Sequence, residues 1–135
     1  MSPNPVVVLR RLDHLLVLTG DLEESRRFYC DLLGLEEGPR PAFPFTGLWL
    51  YLDGVPCVHL ADRESYEANA ARMSLAVGEA PVDHVAFAAE GYGELRARLE
   101  RVGLEVTPNA PPGAAMRQLF VTDPNGLRIE LNVPD

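Results

Sequence analysis

Cysteine is scarce in this chain. Two residues in 135, Cys30 and Cys57, are too few for a disulfide framework, and a reducing cytoplasm is the expected compartment. Long hydrophobic runs are missing, since no stretch approaches the ~18 apolar residues that would span a bilayer. In the opening MSPNPVVVLRRLD the charges follow a short apolar run, the reverse of a secretory signal. Positive charge is short as well. Twelve basic residues against twenty acidic ones leave a net charge of −8, which offers no neutralising field to a nucleic-acid backbone or an anionic membrane. Histidine occurs only three times. What is present, 47% hydrophobic and 24% charged residues, is the usage of one soluble globular domain large enough to bury a core.

The chain repeats itself, and the repeat decides the fold reading. LDHLLV in the first half matches VDHVAF in the second, so that Asp13-His14 recurs as Asp83-His84. Each is followed by a polar opening and a helix-like segment ending in Gly-Leu-Glu, at Gly34 and again at Gly103. Each half closes with a glycine turn and a strand, Gly54-VPCVHLA and Gly126-LRIELNV. The units expected are residues 9–62 and 81–133, joined by a connector, 63–80, that holds about one helical turn.

The first helix has clear boundary signals. Asp21 can cap it, Glu24 stands three residues on as in a capping box, and Gly34 suits the left-handed position after the last turn. Leu22, Tyr29, Leu32 and Leu33 form its apolar stripe. A second helix is expected from about Gly93 to Val102. GLWLYLD, VPCVHLA, RQLFVTD and LRIELNV read as strands, with TDPNG as a turn. Each half is then an α+β unit of one strand, one helix and two or three further strands.

Alternation along strands sorts the polar residues. His14 shares a face with Leu12, Leu16 and Leu18, and His84 with Ala86 and Ala88. In the closing strands, Cys57, His59 and Ala61 share one face, and Arg128, Glu130 and Asn132 another. His14 and His59 in one half thus correspond to His84 and Glu130 in the other. Pseudo-symmetry between the halves would bring all four to one point. Three imidazoles and a carboxylate form a mixed N/O site for one divalent metal ion, Zn, Ni, Co, Mn or Fe. Trp49 and Tyr51 share a face and could wall a substrate pocket. Arg128 and Asn132 flank Glu130. Gln118 and Arg117 point to opposite faces, so one of them can reach the pocket, and Gln118 is the candidate. The proline-rich loops PRPAFPFTG and TPNAPPGAA read as rims or lids.

LDHLLVLTGDLEESRRFYCDLLGLEEG, VDHVAFAAEGYGELRARLERVGLE and QLFVTDPNGLRIELNVP together resemble the vicinal oxygen chelate superfamily, the group of glyoxalase I, the bleomycin-resistance proteins and the extradiol dioxygenases. The D-P-x-G turn before a strand with glutamate is the most specific of these motifs. The resemblance implies two βαβββ modules whose mixed sheets curve into a cup, with metal ligands on the first and last strand of each module. His14, His59, His84 and Glu130 occupy those places, and three of them, His14, His84 and Glu130, also match the fosfomycin thiol-transferases and the dioxygenase-type His-His-Glu site.

The reaction implied is proton transfer next to a carbonyl through a metal-stabilised enediolate, as in a lyase, isomerase or epimerase. Glu130 would serve there as ligand or catalytic base, and the substrate would be a small molecule with vicinal oxygens. Extradiol oxygenase or thiol-transferase chemistry on the same site is the alternative, and sequestration of a drug, as in bleomycin resistance, is a non-enzymatic one. The bleomycin-resistance proteins lack the ligand set, so its presence favours an enzyme. Modules in such proteins pair within a chain or across a homodimer, and a homodimer is expected here.

Overall fold

The computed structural model describes residues 9–70, 72, 77–79 and 81–135. β1 (Leu15–Thr19) runs parallel to β4 (Val55–Asp62), which is antiparallel to β3 (Gly47–Leu52). β3 in turn carries the short edge strand β2 (Glu36–Gly38), giving the order β1-β4-β3-β2. The second half repeats this topology with β5 (His84–Ala88), β6 (Thr107–Asn109), β7 (Met116–Thr122) and β8 (Arg128–Pro134) in the order β5-β8-β7-β6. Each half is therefore a βαβββ unit with a four-stranded mixed sheet, in which a helix makes the crossover that a parallel pair requires. The edge strands β2 and β6 were not among the expected strands. Glu-Glu-Gly and Thr-Pro-Asn carry no apolar alternation, and pairing with β3 and β7 is what makes them strands.

The first helix begins as expected. The Asp21 carboxylate accepts the Glu24 N–H at 3.0 Å. The reciprocal half of a capping box is absent, because the Asp21 N–H goes to the Thr19 hydroxyl at 3.1 Å. After α1 (Leu22–Arg26) the helix widens into π-type turns over Arg27–Leu32, which bury Phe28, Tyr29 and Leu32 together. Gly34 then takes φ +88, and its N–H and that of Leu35 reach back to the carbonyls of Cys30 and Tyr29. Asp21→Ala should cost about 1 kcal/mol, read as a lower urea midpoint at unchanged m-value.

The connector departs from expectation. It holds an eight-residue helix, α2 (Arg63–Ala70), rather than a single turn. Asp62 at the end of β4 starts it, its carboxylate accepting the Ser65 N–H at 3.0 Å. Residues 71, 73–76 and 80 of the connector lie outside the described residues. The second crossover helix, α3 (Tyr92–Arg101), begins one residue earlier than predicted.

One core serves both halves. Leu50, Val58 and Leu60 from the first sheet, Leu119, Ile129 and Leu131 from the second, and Tyr29 and Leu99 from the helices are almost completely buried in it. Two polar links cross between the halves. The Tyr29 O–H donates to Asp123 Oδ2 at 2.6 Å, and the Asn125 amide donates to Ser25 Oγ at 2.9 Å. Nearly all buried strand residues lie on the helix side of their sheets, so the histidine-bearing faces turn away from the shared core. No helix among the described residues is long and apolar enough to cross a membrane.

Candidate metal and substrate site

The second half shows the site logic most clearly. His84 opens β5 and Glu130 lies in β8, in strands whose register pairs His84 with Arg128 and Ala86 with Glu130. His84 Nδ1 bonds Asp83 Oδ2 at 2.8 Å, and Asp83 also accepts from Arg128 Nη1 at 3.2 Å. The His84 hydrogen bond, aided by the Arg128 charge, holds the Asp83 carboxyl below its ordinary range. In the tautomer that places the proton on Nδ1 toward Asp83, Nε2 is the lone-pair nitrogen. It faces Glu130 Oε1 at 3.6 Å. Glu130 Oε2 is held from behind by the Asn132 amide at 2.9 Å.

Two potential ligand atoms therefore stand 3.6 Å apart with the far atoms of both side chains anchored. Two ligands of one tetrahedral cation, each at about 2.1 Å, stand about 3.4 Å apart. The separation of the pair is close to that of two ligands of one divalent ion. A carboxylate behind a ligating imidazole is also the usual support for such a ligand.

Support for Glu130 extends along the sheet. Asn109 donates to Gln118 at 2.7 Å, Gln118 to Asn132 at 3.0 Å, and Asn132 to Glu130. Alternation left Gln118 and Arg117 undivided. The structure turns Gln118 to the Glu130 face and Arg117 to the helix side, where its guanidinium lies 3.8 Å over the Tyr92 ring. Arg128, beyond its bond to Asp83, lies 4.9 Å over the Phe120 ring.

In the first half, His14 precedes β1 and repeats the arrangement, with Nδ1 bonded to Asp13 Oδ1 at 2.8 Å and Nε2 free. Arg11 holds Asp13 at 3.1 Å. His59 is held differently. Its Nε2–H donates to the Pro56 carbonyl at 2.9 Å, and its ring is sandwiched between His14, at 3.8 Å, and Trp49, at 4.1 Å. Burial, then the neighbouring His14, lowers its pKa. Parallel imidazoles stacked in this way cannot aim their in-plane lone pairs at one ion, so His59 as held does not join His14 as a second ligand.

The four expected donors do not meet in one chain. Among the described residues no group of three or more His, Cys, Asp or Glu side chains is placed to hold a metal. His14 with His59, and His84 with Glu130, form two separate pairs on the two outward faces. Trp49 stands with the first pair, whereas Tyr51 directs its hydroxyl to the Pro39 carbonyl and fixes the loop that follows β2. Cys57, beside His59, packs against the core, and burial pushes its thiol up.

Sequence reasoning missed Asp13 and Asp83 as supports of the histidines. Strict alternation sends neighbours to opposite faces, but these pairs sit at strand beginnings, where the chain is free to curl. The repeated Asp-His dipeptide was the signal. It also missed Arg40, Phe43, Phe45 and Tyr66, which gather beside His14, His59 and Trp49 around a small cavity.

Comparison with known proteins agrees with this architecture. The family model for the Glyoxalase/Bleomycin resistance protein/Dioxygenase superfamily matches residues 11–131. The chain belongs to this superfamily. It is 33% identical over 129 residues to glutathione transferase FosA of Serratia marcescens, covering 93% of this chain and 82% of that one. Glyoxylase I 4 of Arabidopsis thaliana is 29% identical over 126 residues, 91% of this chain and 70% of its own. The solved lactoylglutathione lyase of Agrobacterium tumefaciens shares the fold, with a TM-score of 0.70, 19% identity and coverage of 98% and 95%. The D-P-x-G turn, Asp123 to Gly126, is tied to the core through Tyr29 rather than to the face that carries His84 and Glu130.

Proposed function

We propose that this superfamily member is a metal-dependent enzyme that moves a proton next to a carbonyl in a small substrate with two neighbouring oxygens. The observation that carries the reading is the His84–Glu130 pair, 3.6 Å apart and held from behind by Asp83 and Asn132. His14, His84 and Glu130 would hold the ion. A bound divalent cation supplies Lewis-acid charge for adjacent substrate oxygens. Glu130 is a ligand through Oε1 or, released from the ion, the base, while Asn132 keeps Oε2 in place. Asp13 and Asp83 fix the tautomers of the two histidines, and Trp49 and His59 exclude water from one side.

The donors stand on faces that turn away from the shared core. A homodimer that sets the first-half face of one copy against the second-half face of another would complete the set. Mixing His14→Ala and Glu130→Ala chains tests this. If the site is shared, the mixed dimer regains one intact site and binds about one ion per two chains, as read by elemental analysis after dialysis. A mixture that binds no more metal than either parent sinks the shared site. Wild-type protein that takes up no divalent metal sinks the metal-dependent reading altogether.

One observation favours a second reading. With His59 tied to Pro56, the posed donors are two imidazoles and one carboxylate, the set noted above for thiol transfer and for extradiol oxygenation. Oxygen uptake by iron-loaded protein on catechols, or thiol consumption with an electrophile, would replace proton transfer as the reaction.

A further inference from the structure

The loop PRPAFPFTG between β2 and β3 places an arginine inside an aromatic nest. Phe43 and Phe45 stack with centroids 5.3 Å apart, and Phe43 lies 6.3 Å from Trp49. Phe45 meets Tyr66 of α2 edge to face at 5.0 Å. With His59 these rings line a cavity of about 180 Å³ that also reaches His14. An apolar cavity of about 150 Å³ accommodates benzene, so this one has room for a single six-membered ring with a short substituent.

Arg40 makes the cavity selective. Its guanidinium carbon sits 5.3 Å and 5.0 Å from the Phe43 and Phe45 ring centres. Of its five N–H groups, one has a partner among the described residues, Nη2 donating to the Phe45 carbonyl at 2.6 Å. Its Nε is buried without a partner among the described residues. Every basic residue of the chain is an arginine, and the acid excess leaves a net charge of −8. A cation short of hydrogen-bond acceptors in so acidic a chain, enclosed by ring faces, is complementary to an anion attached to a ring.

We propose that the substrate is a single-ring aromatic compound carrying a carboxylate or similar oxyanion. Its ring lies among Phe43, Phe45 and Trp49, and its anionic group takes the Nη N–H groups of Arg40 that the Phe45 carbonyl leaves over. This rests on the metal-site reading only in placing the reacting oxygens near His14; ring and anion recognition belong to one chain and need no metal.

Trp49 is the sole tryptophan of the chain, so its fluorescence reports this cavity directly. Wild-type protein stripped of metal with a chelator would be titrated with benzoate, benzyl alcohol and cyclohexanecarboxylate. Benzoate should quench Trp49 saturably, and the uncharged and the non-aromatic analogues should each bind at least about tenfold more weakly. In Arg40→Met, shown folded by circular dichroism, benzoate should fall to the affinity of benzyl alcohol while benzyl alcohol is unchanged. Equal affinity for benzoate and either analogue, or no saturable quenching by benzoate, overturns the proposal; the wild-type panel decides this even if the variant does not fold. Metal content is measured on separate, untreated protein. Benzoate binding without metal uptake would leave this inference standing and the metal reading lost, and the reverse result would do the opposite.

Discussion

Glu130→Ala should weaken divalent-metal binding by more than about 100-fold, whereas His59→Ala should change it by less than about tenfold. The loss of an outer support of a metal ligand already costs about 10–100-fold in affinity, and removal of a ligand costs more. Glu130 has one oxygen held by Asn132 and the other 3.6 Å from His84 Nε2, so its deletion leaves an anchored imidazole facing nothing. His59 has its Nε2–H on the Pro56 carbonyl and its ring faces against His14 and Trp49. Calorimetric titration with Zn, Mn and Ni salts measures both variants. A His59→Ala protein as impaired as Glu130→Ala would mean that the ring rotates out of its stack and ligates. Asp83→Asn provides the intermediate case, expected within the 10–100-fold range.

Asp123→Ala should destabilise the fold by about 3–5 kcal/mol, a large share of the 5–15 kcal/mol that holds an ordinary domain. Asp123 is buried, and one oxygen accepts the N–H groups of Asn125 and Leu127, both at 2.8 Å. The other oxygen accepts the Tyr29 hydroxyl. Truncation therefore removes the lock on the turn and leaves a buried phenol without its acceptor. Equilibrium urea unfolding measures the cost, and a value under about 1 kcal/mol would refute this account.

The same contact gives a pH signature. Burial first, then the hydrogen bond to Asp123, raises the Tyr29 phenol far above its ordinary value. The unfolded chain ionises this tyrosine near pH 10. The stabilisation is thus complete below about pH 10 and is lost as pH rises beyond it. Tyr29→Phe should flatten that alkaline decline while lowering stability at neutral pH.

The β-α-β-β-β repeat was legible because it rests on local rules. Alternating apolar residues, an Asp21 cap and a positive-φ glycine act over a few residues; the glycine recurs at Gly34 and Gly103, whereas the second crossover helix has Gly91 in place of the Asp cap. The faces were legible for the same reason: alternation puts His59 and Glu130 on the same faces as His14 and His84, at the beginnings of their neighbouring strands. Helix α2 was under-read because its start depends on Asp62, which also ends a strand. Edge strands β2 and β6 were missed because only their neighbours make them strands. Tyr29 read as one residue in an apolar stripe, and nothing local announces that its hydroxyl meets Asp123, 94 positions further along the chain.

The sequence by itself determined the two-module α+β architecture, the faces on which the histidines and Glu130 stand, and the superfamily. These follow from periodicity, caps and turns, which are local. Only the tertiary structure decided that the four donors separate into two pairs, that His59 is stacked and tied to Pro56, and that Arg40 enters an aromatic cavity. Those outcomes depend on the helix sides of both sheets sharing one core, which turns the two histidine faces outward. Burial of the apolar faces is the larger free energy, and the placement of the polar groups follows from it.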